Sequence, residues 1–164
     1  MMRKLLFIVA GGGLVLALAA PVVMGDSRNK FEASLNGYME VPSISTTARG
    51  SFKLEIKSSS ITYRLSFRDL SAAPLFAHIH FARPDVNGGV AAFLCGGGGK
   101  PACPASGTIS GTIVPPDVVG PTDQGIAPGE FAELVRAIRN GAAYANVHST
   151  NFRSGEIRGN IHRD

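Results

Sequence analysis

Apolar and polar residues alternate along much of this chain with a period of two residues. In GSFKLEIK (residues 50–57), Phe52, Leu54 and Ile56 share one face, and polar side chains occupy the other. ITYRLSF (61–67) repeats the pattern. Such alternation is typical of half-buried β-strands. The polar KSSS between the two segments predicts a hairpin turn.

Six further segments carry strand patterns, and turn-forming residues separate them. They are residues 31–37, 75–82, 90–94, 107–114, 144–149 and 156–162. PGEFAELVRAIRNG has a helical period instead. Its apolar residues recur at i, i+3, i+4 and i+7, as Phe131, Leu134, Val135 and Ile138. Short strands with frequent turns predict an all-β fold, an antiparallel Greek-key β-sandwich with one short amphipathic helix.

Residues 1–25 follow a different pattern. Arg3 and Lys4 form a short basic start, and the run from residue 5 to residue 25 is uncharged and largely apolar. This is the layout of a secretory signal peptide, and such a run is also long enough for an uncleaved membrane anchor. We expect cleavage, one domain over residues 26–164, and a secreted, periplasmic or cell-envelope location.

The charge distribution argues against nucleic-acid binding. The formal net charge of +4 falls to +2 when Arg3 and Lys4 are removed with the N-terminal segment. The remaining basic residues are scattered among acidic ones, whereas nucleic-acid binding requires a concentrated basic face. We expect no nucleic-acid partner, and membrane contact only through an uncleaved N-terminal segment.

The two cysteines, Cys95 and Cys103, flank the glycine-rich stretch GGGGKPA. An even, small cysteine count in an exported chain favours one disulfide, which would clamp this loop at its base. The alternative is a metal or redox pair. The seven intervening residues do not match the tight spacing of redox pairs or zinc knuckles.

Histidines provide the candidate chemistry. In AHIHF, His78 and His80 lie on one face of a predicted strand, with Cβ atoms roughly 6–7 Å apart. Their imidazoles can therefore converge on one ion. His148 lies on the corresponding face of YANVHST. The face opposite the aliphatic one also carries Tyr144, Asn146, Glu156 and Arg158. The alternative is that these histidines are ordinary solvent-facing residues, as we expect for His162.

Three separated segments resemble the CHRD (chordin-type) domain family. They are SLNGYMEVP, AHIHFARPDVNGGVAAFLC and GAAYANVHSTNFRSGEIRGNIH, and the resemblance runs from about residue 31 to residue 161. The two-cysteine insert resembles the bacterial exported members. The resemblance implies an exported or extracellular β-sandwich, which in chordin is a module of a larger binding protein.

A weaker similarity is to copper/zinc superoxide dismutase, which also has a Greek-key sandwich. His78, His80 and His148 match the pattern of three copper ligands in that family. The zinc-binding loop is missing, since the segment after His80 holds Asp85 and Asn87 but no histidine. The similarity implies a superoxide dismutase-like or immunoglobulin-like sandwich with a three-histidine site, copper favoured and zinc as the alternative. Around it, Tyr144, Asn146, Glu156 and Arg158 would orient imidazoles or guide an anion.

Two functions follow as hypotheses. The first is an exported domain that binds a metal ion, more a binding protein than an enzyme, with dismutase-like redox activity as the alternative. The second is a non-catalytic module that binds a protein or glycan of the cell envelope through the polar face or the CGGGGKPAC loop. Glu156 and Arg158 would then form an ion pair that holds the last strand in register. The sequence leaves the oligomeric state open, including a homo-oligomer.

Overall fold

A computed structural model describes residues 27–164. The predicted signal peptide, residues 1–25, lies outside the described residues. The strands are β1 (Lys30–Asn36), β2 (Arg49–Ile56), β3 (Ile61–Arg68), β4 (Pro74–Phe81), β5 (Gly89–Cys95), β6 (Gly107–Ile113), β7 (Ala143–Ser149), β8 (Ile157–Asn160) and β9 (His162–Arg163), and helix α1 is Phe131–Arg139. Each of the first seven begins and ends within one residue of its prediction. The segment predicted last, 156–162, is divided between β8 and β9.

All strand pairs are antiparallel, and the sheet runs in the order β5-β4-β7-β8-β1-β2-β3-β6, with β9 beside β1. One apolar core receives side chains from both ends of this path. The Tyr63 hydroxyl on β3 donates a 2.7 Å hydrogen bond to the Leu94 carbonyl on β5, which links the two ends through the interior. The predicted all-β sandwich with one short helix is confirmed.

The alternating apolar residues of β2 and β3 form one half of the core. Phe52 and Leu65 are fully buried, while Ser51 and Arg64 on the opposite faces are exposed. The predicted hairpin turn closes with a 2.8 Å hydrogen bond from the Lys57 amide to the Ser60 carbonyl. Period-two burial is therefore seen here as the sequence predicts.

Helix α1 packs its apolar stripe on the sheet. Leu134 and Ile138 are buried, and Arg136 and Arg139 are exposed. The helix ends before Gly141, whose φ of 67° is in the left-handed region that suits glycine. No helix within residues 27–164 has both the length and the apolar character needed to cross a membrane.

The predicted disulfide between Cys95 and Cys103 is present and closes the loop between β5 and β6. The glycines of this loop lie against the ring of Phe93. A Cβ atom on Gly97 would lie 2.5 Å from a ring carbon, and one on Gly98 would lie 2.6 Å away. Only glycine permits this close approach. The disulfide loop therefore packs on a side chain that also reaches the histidines described below.

Candidate metal centre

Three neighbouring strands, β4, β7 and β8, bring the candidate residues to one face. His78 on β4 lies opposite Asn146 on β7, which in turn lies opposite Arg158 on β8. In the next row, His80 lies opposite Tyr144. On the other side, Phe76 lies opposite His148. Pairing of strands distant in sequence thus assembles residues that lie far apart along the chain, such as His78 and His148, which are 70 positions apart.

This face is buried, whereas the sequence predicted that it points away from the core. His78, His80 and His148 are only 4%, 7% and 5% exposed. Connecting segments cover the face and provide backbone partners, because buried polar groups require hydrogen bonds. The segment after β4 contributes the carbonyl of Gly88, and the segment after β7 contributes the carbonyl of Arg153. Strand alternation alone carries no information on this covering.

The three imidazoles converge. One nitrogen of each ring lies within 4.8 Å of one nitrogen of each of the other two. Nδ1 of His78 lies 3.2 Å from Nε2 of His148. Nδ1 of His80 is 3.0 Å from the Gly88 carbonyl, and Nδ1 of His148 is 2.9 Å from the Arg153 carbonyl. The predicted convergence of His78, His80 and His148 in space is thus present, and His162 is exposed on β9.

These hydrogen bonds determine the tautomers. A carbonyl oxygen only accepts, so His80 and His148 each donate from Nδ1 and keep a lone pair on Nε2. His78 then donates from Nδ1 to Nε2 of His148, which leaves its own Nε2 with a lone pair. Backbone carbonyls that orient imidazoles in this way are common around metal-ligating histidines.

Two of these lone pairs have no partner. Nε2 of His78 and Nε2 of His80 are buried, and neither forms a hydrogen bond with the part of the chain that the structure describes. Leaving a buried polar atom without a partner costs about 1–3 kcal/mol. The cluster therefore has the donor atoms and the unmet need for a partner that a bound cation would satisfy.

Aromatic rings form the walls of the cluster. Phe93 lies edge-on to His78 with ring centroids 4.5 Å apart, and Phe76 stacks on the same imidazole at 5.0 Å. Tyr144 stacks on His80 at 4.7 Å, with ring planes only 3° apart. Burial lowers the pKa of His78 to about 3 and that of His80 to about 4, and it also lowers the pKa of His148. All three rings are therefore neutral at pH 7, which is the form that binds metals.

Arg158 is separated from the histidines by Tyr144. Its guanidinium carbon lies 4.3 Å from the centroid of the Tyr144 ring. Since β4 and β8 flank β7 on opposite sides, His80 and Arg158 approach Tyr144 from opposite sides. Arg158 donates to the Met39 carbonyl at 2.7 Å and to Oδ1 of Asn87 at 2.9 Å. It therefore holds the segment that ends at Gly88, the residue whose carbonyl orients His80.

The expected ion pair between Glu156 and Arg158 is not among the ion pairs of residues 27–164. The carboxylate of Glu156 instead accepts hydrogen bonds from the Thr46 hydroxyl at 2.9 Å and the Ser71 amide at 2.8 Å. That expectation was wrong because Oε1 of Glu156 and the Nε and Nη1 atoms of Arg158 bond to the connecting segments over this face instead of to each other.

Sequence reasoning missed Glu40, which lies beside the cluster. Its Oε1 accepts a 2.7 Å hydrogen bond from Nδ2 of Asn146. Burial raises the pKa of Glu40 to about 7, and the hydrogen bond from Asn146 opposes that effect. Gly88 was also missed. A Cβ there would lie 1.8 Å from the Phe81 carbonyl oxygen, so only glycine fits. The YMEVP and NGG motifs contain these residues, but nothing in the sequence indicates their contacts.

Comparison with protein families matches the chain to the CHRD domain over residues 31–161. The chain belongs to the CHRD domain family. No curated protein and no solved structure matches it significantly. The CHRD match extends from β1 to the residue after β8, so it includes the apolar core and all three clustered histidines.

Proposed function

We propose that this CHRD domain is exported and binds one transition-metal ion through His78, His80 and His148, with copper favoured over zinc. The observation that carries the proposal is the convergence of three buried, neutral imidazoles, two of which have unpartnered Nε2 atoms. Such a cluster is costly for a protein that holds no ion there.

The spacing of the nitrogens supports a metal. Two nitrogen ligands at about 2.0–2.1 Å from a tetrahedral ion lie roughly 3.3 Å apart. Nδ1 of His78 and Nε2 of His148 are 3.2 Å apart. In the metal-free protein one proton occupies the space between them. A metal ion there would take its place, and the proton would move to Nε2 of the His78 ring, so that all three ligands stay neutral and no proton is released.

Two further considerations favour copper and an exported protein. Imidazole sites prefer copper among the divalent first-row ions, and the His-x-His plus later histidine pattern resembles the copper ligands of superoxide dismutase. The disulfide between Cys95 and Cys103 supports an oxidising compartment, in agreement with the signal-peptide pattern of residues 1–25.

The arrangement supports binding more than catalysis. Arg158 lies beyond Tyr144 from His80, so its guanidinium does not contact the space between the imidazoles, where it would bind an anionic substrate. The aromatic walls also restrict access. The competing hypothesis, an envelope-binding module, predicts histidines that point apart, whereas these converge.

The test is a titration of the exported protein, purified without a histidine tag, with copper and with zinc. We expect one equivalent to bind tightly, and binding to be lost in His78→Ala, His80→Ala and His148→Ala. His162→Ala is the matched control, since this histidine is exposed on β9 and should leave binding unchanged. Weak binding that no single histidine affects would remove the proposal.

A further inference from the structure

The ligand set carries no negative charge. All three rings are neutral imidazoles, and none takes part in an ion pair among residues 27–164. The groups that orient His80 and His148 are the backbone carbonyls of Gly88 and Arg153, not carboxylates. An ion bound here would therefore keep its full charge.

The surroundings do not neutralise that charge. Phe76 and Phe93 enclose His78, and Tyr144 covers His80. Glu40 bonds to Asn146, the residue that lies opposite His78 on β7. The pKa of Glu40 is about 7, so this carboxyl group has less than a full negative charge at neutral pH. Oε1 of Glu156 accepts from Thr46 and Ser71. Among residues 27–164, no carboxylate oxygen joins the three imidazole nitrogens that converge.

A buried positive charge acts on the cluster. Arg158 is 1% exposed, its guanidinium lies over Tyr144, and no ion pair among the described residues neutralises it. Its field opposes any cation in the cluster, and it opposes a divalent cation twice as strongly as a monovalent one.

We infer that the ion held by His78, His80 and His148 is monovalent copper, Cu(I), in preference to Cu(II) or Zn(II), because the cluster is closed, aromatic-walled and uncharged. This inference rests on the proposed metal-binding function. The cost of removing an ion from water scales with the square of its charge, so a divalent ion of similar size costs about four times as much as a monovalent one. A divalent ion would also have to bring its own anion between the rings.

The general preference of imidazole sites for Cu(II) applies where water or carboxylates complete the coordination and balance the charge. Burial removes that condition here. Three neutral nitrogens also suffice for a cuprous ion, which accepts a low coordination number. The covered face, which strand alternation does not predict, thus determines which oxidation state the site favours.

The test measures three affinities on the exported, untagged protein. Cu(I) is supplied anaerobically with hydroxylamine as reductant and competed with bicinchoninate. A thiol reductant is avoided, since it would bind copper and attack the Cys95–Cys103 disulfide. Zn(II) and Cu(II) are titrated aerobically against chromophoric competitors. We expect the Kd for Cu(I) to be lower than that for either divalent ion, by about 100-fold or more for zinc.

A pair of variants isolates the charge. Phe93→Asp places a carboxylate beside His78, and Phe93→Asn is its neutral match at the same half-buried position. Relative to Phe93→Asn, the aspartate variant should bind zinc about tenfold or more tightly, with a smaller gain for Cu(I). Circular dichroism establishes that both variants fold. If they do not, the three affinities of the unaltered protein decide the question alone.

Equal or tighter binding of Zn(II) or Cu(II), with the same dependence on the three histidines, would overturn the Cu(I) inference and leave the proposed metal-binding function in place. Identical zinc affinities for folded Phe93→Asp and Phe93→Asn would also overturn it, since charge would then not govern selectivity. Binding of none of the ions at one histidine-dependent equivalent would overturn both proposals.

Discussion

Strands β3 and β7 carry the same alternation of apolar and polar residues, yet they are buried differently. Along β3, buried positions alternate with partly or fully exposed ones. Along β7, every one of the seven residues is buried. The two faces of β7 are equally dry, although one carries Ala145 and Val147 and the other carries Asn146 and His148. Alternation therefore identifies a strand but does not tell what lies over its polar face.

The two faces owe their burial to different forces. The apolar face gains about 25 cal/mol for each square ångström removed from water. The polar face loses its hydrogen bonds to water. Hydrogen bonds within the protein replace them only in part, since Nε2 of both His78 and His80 remains unpartnered within the described residues. Such a face reduces the stability of the metal-free protein, which is expected where a protein maintains a ligand site.

Acid should distinguish the two faces most strongly. The pKa of His78 is about 3 and that of His80 about 4, against about 6.5 in an unfolded chain. The unfolded state therefore binds more protons between these values, and stability falls as the pH drops below about 6.5. The loss is up to about 1.4 kcal/mol per pH unit for each histidine. Urea unfolding of the metal-free protein as a function of pH measures it.

A matched pair of variants controls this prediction. His78→Leu removes one buried titrating ring and should flatten the slope, whereas His162→Ala removes an exposed ring and should not. An unfolding free energy that stays constant from neutral pH to about pH 5 would show that these histidines have the same pKa values in the folded protein as in the unfolded chain.

Among changes in the apolar core, Phe52→Ala should cause the largest loss of stability. Phe52 is fully buried and packs against Tyr63 with ring centroids 6.2 Å apart. Truncation leaves a cavity and should cost about 3–5 kcal/mol. Ser51→Ala, at the exposed neighbouring position, should stay within about 0.5 kcal/mol. The folded fraction of Phe52→Ala should keep its metal affinity. A loss of affinity would contradict the independence of the two faces.

The next largest loss of stability should come from removing the disulfide that closes the loop between β5 and β6. Replacing both Cys95 and Cys103 with serine should lower stability by about 2–3 kcal/mol, since the unfolded chain regains the freedom of the closed loop. Gly97 and Gly98 pack on Phe93, so metal affinity should fall as well. Thermal unfolding and copper titration measure the two effects. An unchanged affinity would confine the loop to a stabilising role.

The smallest effect concerns Glu40. Its folded pKa of about 7 lies above the unfolded value of about 4.3, so stability is lost as the pH rises through this window. Glu40→Gln replaces the accepting carboxylate oxygen with an amide oxygen, which can also accept from Asn146, and removes the titration. The unfolding free energy of the variant, relative to that of the wild type, should therefore rise by about 2 kcal/mol as the pH goes from 5 to 7. A difference in unfolding free energy that stays constant across this range would show that burial does not raise the pKa of Glu40.

The sequence predicts the strands well because alternation, turns and helical spacing are local. It predicts the convergence of His78, His80 and His148 only through the strand pairing implied by family resemblance. It misses Glu40 and Asn87, because their contacts with Asn146 and Arg158 join segments 106 and 71 residues apart. It misses the break between β8 and β9, where the amide of Ile161 bonds to the Ala143 carbonyl at 2.9 Å. Such contacts depend on how connecting segments fold over the sheet.

Strand β5 forms one edge of the sheet, and some of the backbone groups at this edge are paired with another segment. Ala92 forms an isolated antiparallel bridge with Val118, and the Ala91 carbonyl accepts a 2.9 Å hydrogen bond from the Val119 amide. An open edge of this kind is where sheets from separate molecules join and aggregate. The segment that leads from β6 to α1 occupies those backbone groups, and so it protects the domain from growing by strand addition at β5.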